Sequence, residues 1–203
     1  MRTLITILSS LLFIGSALAQ EHEYVGSSKC KSCHKKEEKG AQYKVWADSA
    51  HAKAFETLSS EKALKIAAEK KLALPPNQTP ECLKCHTTGF GEGGYEIKDD
   101  AFYHPDKADK KGKAAAKRMT SLQSVSCEAC HGAGSDYKGK KNMRAIFEGE
   151  ISAEEHGLVV QNEKVCKACH NEESPTYQPF DYEEKKEEIA HSFPIELKKQ
   201  KKK

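Results

Sequence analysis

Aliphatic bulk is what this chain has least of. Leu, Ile, Val and Phe make up 35 of its 203 residues, and nine of those fall within the first nineteen positions, leaving 26 for the other 184. That fraction lies below the roughly 20% at which such side chains ordinarily close a core. Beyond residue 20 no apolar run approaches the roughly 18 residues a membrane-spanning helix needs, which excludes a membrane span there. Charge of one sign is lacking too: the net charge is only +3. So small an excess leaves no electrostatic footprint for nucleic acid, and it does not account for the thin aliphatic content as charge-driven disorder. Apolar bulk and crosslinks must come from something other than aliphatic side chains.

The one long apolar stretch is at the start. "MRTLITILSSLLFIGSALAQ" puts Arg2 before an apolar run and ends in small residues, the layout of a secretory signal with cleavage expected after Ala19. No cysteine sits at that cut, so a lipid anchor is not expected. The expected division is a signal peptide over 1–19 and a single domain over 20–203, exported to the periplasm or beyond the cell. The last seven residues, "LKKQKKK" at 197–203, read as a solvated, disordered cationic end. As a docking element they would suit an acidic partner.

Cysteine and histidine, by contrast, are concentrated. All eight cysteines lie in four Cys-x-x-Cys-His motifs: "CKSCH" (Cys30, Cys33), "CLKCH" (Cys82, Cys85), "CEACH" (Cys127, Cys130) and "CKACH" (Cys166, Cys169). Four disulfides would use the thiols but give the adjacent histidines no role. Zinc sites built from paired Cys-x-x-Cys units would also leave those histidines idle. Covalent haem attachment uses every residue: each thiol adds across a vinyl group, and the neighbouring imidazole is held beneath the iron. One helical turn suffices to place both sulfurs on the porphyrin edge and the ring under its centre. The expected proximal ligands are His34, His86, His131 and His170. Four apolar macrocycles then supply the missing core, and the expected fold is mainly α, with helices and loops wrapped around four covalent haems and little or no sheet.

Periodicity supports helices. Tyr43, Ala47, Ala50, Ala54 and Leu58 recur at threes and fours, predicting an amphipathic helix. "EKALKIAAEKKLAL" predicts another, stopped by Pro75. Further helices are expected around 106–119 and from 181 to about 191, while "GFGEGGYEI" reads as turns or a short hairpin. Gly132 and Gly134, just past the third motif, fit a sharp turn close to a macrocycle face. Five histidines remain as candidates for the far side of the irons. His51 shares a helical face with Ala47, Ala54 and Leu58, and His191 ends the last helix. His22, His104 and His156 sit in polar surroundings.

Several strings extend past the motifs themselves. "YVGSSKCKSCHKK", "VWADSAHAKAFETL", "CLKCHTTGFGEGGY", "SVSCEACHGAGSDYKG" and "CKACHNEESPTYQPF", in that order, resemble the tetrahaem cytochrome c-554 family over nearly the whole chain after residue 20. The resemblance implies two histidine ligands on three irons and an open face on the second, that of His86. It implies that His51 lies opposite His131 and His191 opposite His170, and that Tyr177, Gln178, Pro179 and Phe180 form a loop over the open iron. Where the family has a distal histidine for the first iron, residues 132–143 have none. That leaves His22, His104, His156 or the thioether of Met143 for it.

Three functions follow as expectations. An electron carrier would pass electrons between a redox protein donor and an acceptor through closely packed haems. An enzyme would act on nitric oxide, nitrite or hydroxylamine at the His86 iron. A self-associating subunit would extend into a filament, with His22 lent between copies.

Overall fold

Three of the four motifs lie in short helices and the fourth closes a turn at the end of one, and the rest of the chain is arranged to hold them. The computed structural model describes residues 22–105 and 109–191. In chain order its helices are α1 (Lys31–His34), α2 (Gln42–Asp48), α3 (Glu61–Glu69), α4 (Pro80–His86), α5 (Asp100–Tyr103), α6 (Lys110–Thr120), α7 (Cys127–His131), α8 (Lys140–Glu148), α9 (Glu163–Lys167) and α10 (Tyr182–Ile189). No strand occurs among the described residues. The mainly α expectation holds. The expected signal at 1–19 and the cationic end at 197–203 lie outside the described residues, and among those described no helix is long and apolar enough to cross a membrane.

Each motif closes one turn in the expected way. The His34 N–H donates to the Cys30 carbonyl at 3.0 Å, and the His170 N–H to Cys166 at 2.9 Å. The protein's own core is small: Leu58, Leu83, Tyr95, Met119 and Leu122 pack together, flanked by Tyr24, Phe55, Phe90, Phe102 and Tyr103. Leu83 is a variable residue of the second motif and is fully buried. This core therefore anchors one motif of the four directly.

The second and third motifs are joined by buried hydroxyls. The Thr88 hydroxyl donates to the Ser124 carbonyl at 2.6 Å, and it accepts from the Ser126 N–H at 2.9 Å. Because Thr88 follows α4 and Ser126 precedes α7, the two bonds fix the exit of one motif against the approach to the next. Arg118 adds a third tie, its guanidinium donating to the carbonyls of Tyr24 at 2.6 Å and Gly93 at 2.8 Å.

The predicted helix over 43–58 is broken. It stops at Asp48 and continues as separate single turns at His51–Lys53 and Glu56–Ser59. Ser49 is extended, its hydroxyl folded back on the Trp46 carbonyl at 2.7 Å. Val125 takes the place of the next helical turn: its carbonyl accepts from the Trp46 indole at 2.9 Å, and its N–H donates to the His51 carbonyl at 3.2 Å. Helix α3 likewise ends short of Pro75, because Lys71 turns left-handed (φ 52) while Leu72 donates back to Ala67 at 3.0 Å. The glycine-rich segment is turns, closed by Tyr95 donating to Thr88 at 2.8 Å. Helices α6 and α10 match expectation, each opened by an aspartate, Asp109 or Asp181, whose carboxylate accepts from first-turn amides.

Two substitutions test this framework. Leu83→Ala removes a side chain with no exposure and should lower unfolding free energy by about 2–5 kcal/mol in a denaturant titration; a midpoint equal to the parent's would contradict the core assignment. Gly132 has φ 77 and ψ 172, and a Cβ there would stand 2.3 Å from the Gly157 carbonyl oxygen. Gly132→Ala should therefore cost at least about 1–3 kcal/mol from backbone strain alone, read in the same titration, whereas an unshifted midpoint would mean that the turn is not required.

Candidate haem-binding site

The imidazoles of the motifs are oriented by partners on other segments. His34 donates from Nδ1 to the Gln42 side-chain carbonyl at 3.3 Å, a residue at the start of α2. His86 donates from Nδ1 to the Ala54 carbonyl at 2.6 Å, with the Thr57 hydroxyl 3.3 Å away. His131 has its Nδ1 2.8 Å from the side-chain amide of Gln161. Bonds of this kind fix ring orientation, and in His34 and His86 they leave Nε2 for a metal. The fourth ring, His170, is held differently: Phe180 stacks on it at 4.6 Å between centroids and 21° between planes.

Two histidine pairs face each other among the described residues. His51 and His170 have ring centroids 6.0 Å apart at 74°, and His131 and His191 lie 5.9 Å apart at 28°. Two metal–nitrogen bonds of about 2 Å each, plus the ring radii, span about that distance, so each pair fits one iron between its rings. This arrangement differs from the resemblance-based expectation, which set His51 opposite His131 and His191 opposite His170. Its physical origin is the Val125 contact that holds the His51 turn in place, together with the course of α10, which ends two residues before His191.

Protonation suits ligation as well. Burial, then the proximity of His191 and His34, pulls His131 down to about 4. Burial and then His170 lower His51, and burial lowers His170 and His191. Neutral imidazole is the form that binds a metal.

The other candidates are placed less tellingly. The His22 Nδ1 lies 3.3 Å from an Asp136 carboxylate oxygen, and its ring presses against Gly157, where a Cβ would meet it at 2.7 Å. His104 is exposed just beyond α5. His156 is half-buried, with Nδ1 2.9 Å from the Ser152 carbonyl, and Met143 is half-buried on α8. In the loop expected over the His86 iron, Tyr177, Gln178 and Pro179 are exposed and Phe180 lies on His170. The structure thus sets the end of that loop against the fourth motif. A Lys84–Glu173 ion pair brings the second motif alongside.

The cysteines order the four sites in space. Cys30 lies beside Cys127 and Cys85 beside Cys169, and Cys130 is within electrostatic reach of Cys166. First meets third, third meets fourth, and fourth meets second. None of the eight cysteines is joined in a disulfide, which leaves all eight for addition to vinyl groups.

Sequence reading alone did not find Gln42, Thr57, Gln161 or Glu128. Glu128 is the most buried of these. It proves 1% exposed, accepting hydrogen bonds from the amides of Val25 at 2.9 Å, Gly26 at 2.7 Å and Gly134 at 2.7 Å.

Known proteins resemble this chain. The family profile described as "Cytochrome c554 and c-prime" matches residues 29–132. Cytochrome c-554 of Nitrosomonas europaea is 33% identical over 168 residues, covering 77% of this chain, which spans 61% of that relative's length. The solved structure titled as the reduced state of cytochrome c554 from the same organism superposes with a TM-score of 0.51 at 29% identity, over 89% of this chain and 83% of that one. With the profile spanning half the chain and four attachment motifs present, the chain belongs to the cytochrome c554 family and carries four covalently bound c-type haems.

Proposed function

We propose that this protein is an exported electron carrier, periplasmic or extracellular, that passes electrons between a redox protein donor and a redox protein acceptor. The observation that carries the reading is the pair of facing histidine couples, His51 with His170 and His131 with His191. Haem iron supplies one-electron chemistry whose potential its axial ligands set. A residue on each side leaves a substrate no position at those two irons. Gln42, Ala54 and Gln161 hold the motif imidazoles in fixed orientations, which keeps reorganisation small when charge arrives or leaves. The proximity of the motifs supports a relay in the order first, third, fourth, second, from Cys30 and Cys127 through Cys130 and Cys166 to Cys169 and Cys85. His22, turned onto Asp136 and Gly157 of its own chain, supports a carrier that borrows no ligand from another copy.

A second reading, redox chemistry on a small nitrogen compound at the His86 site, draws support from the same pairing. With His51 and His191 directed at His170 and His131, no histidine ring faces His86 among the described residues.

Low-temperature electron paramagnetic resonance separates these claims. His51→Ala should convert one low-spin haem to high-spin. In a chain whose Cys166 and Cys169 are both serine, and whose fourth haem is therefore absent, His51→Ala should add no high-spin signal, whereas His191→Ala should still add one. A His51 effect that survives loss of the fourth haem would overturn the pairing, and no spin change in either variant would remove both residues as ligands. Sustained consumption of nitrite, nitric oxide or hydroxylamine by the reduced protein would replace the carrier reading with the enzymatic one.

A further inference from the structure

The first variable position of the motifs is occupied in three different ways. In the first and fourth motifs it is an exposed lysine, Lys31 or Lys167; in the second it is the core residue Leu83; in the third it is Glu128. A carboxylate that is 1% exposed ordinarily needs a cationic partner, because burial penalises its charge heavily. Glu128 has no ion pair among the described residues. Its partners are instead three backbone amides, one just past the third motif's turn at Gly134 and two, Val25 and Gly26, on the segment leading into the first motif. Amides compensate the carboxylate without neutralising it, so a net negative charge stays fixed between the two sites.

That charge reaches both neighbours. Burial first, then Glu128, holds the Tyr137 phenol protonated. Cys30 of the first motif and Cys127 of the third both lie within electrostatic reach of the carboxylate.

We propose that Glu128 is a positioning residue that also acts electrostatically. It ties the approach to the first motif onto the third and, as a fixed anion beside both, lowers the reduction potentials of these two sites relative to the second and fourth. Reduction takes Fe(III) to Fe(II) by one electron with no bond made or broken, so the site loses one positive charge. A nearby anion favours the more positive, oxidised state. The inference rests on the first and third motifs being electron-carrying haem sites.

The test is a spectroelectrochemical titration of the four-haem protein and its variants, with a denaturant titration alongside. Glu128→Gln should raise two of the four midpoint potentials and leave the other two in place. Glu128→Asp keeps the charge but shortens the arm, and should lower the denaturation midpoint while leaving the potentials near the parent's. Val25→Lys, which sets an ammonium beside the intact carboxylate, should raise the same two potentials, and it keeps the test decisive if Glu128→Gln does not accumulate. A Gln variant that moves no potential or all four equally, an Asp variant that shifts two potentials as far as Gln does, or a Val25→Lys variant with parental potentials would each overturn the electrostatic role. A parental protein without haem on the first or third motif would instead defeat the reading on which it rests.

Discussion

Among the described residues Leu58, Leu83, Tyr95, Met119 and Leu122 form the buried side-chain cluster, and of the four motifs only the second contributes residues to it, so the other three have little aliphatic packing to hold them. A chain of this size normally buries far more apolar surface to offset the entropy of ordering its backbone. Four porphyrins attached through eight thioethers supply both the missing surface and the crosslinks. The short helices, the many single turns and the absence of strands among the described residues follow from that constraint, because elements that wrap a rigid macrocycle need not be long enough to pack on one another.

Where side chains cannot pack, buried polar contacts take over. Thr88, Ser124 and Ser126 are each under 9% exposed and bonded among themselves, linking the second motif to the third. Glu128 does the same between the third motif and the segment before the first. Such bonds are directional, which hydrophobic contact is not, and direction is what a relay of closely spaced redox sites requires. Gln42, Ala54 and Gln161 extend the principle to the imidazoles themselves.

The parts of this architecture that were readable from sequence are those set by local chemistry. Cys-x-x-Cys-His is a contiguous instruction, so the attachment residues and the motif imidazoles could be named without a fold. Helices α6 and α10 were also legible, since each begins at an aspartate cap and continues through good helix formers. The break after Asp48 was not. It is imposed by Val125, 79 positions from Trp46, and no periodicity in the segment foretells a carbonyl arriving from so far away. Which imidazole lies near which is hidden for the same reason, because it is decided by how segments distant in sequence cross. Nor was the role of Glu128 legible, since the three amides it binds come from two other stretches of chain.

The claim beneath all of this is that covalent porphyrin, rather than side chains, makes the interior. Intact-mass spectrometry of the exported protein after denaturation and alkylation tests it most directly. The account predicts a mass increased by four haem groups and no alkylated cysteine. A chain at its polypeptide mass with eight alkylated thiols, or one with cysteines joined in disulfides, would contradict it.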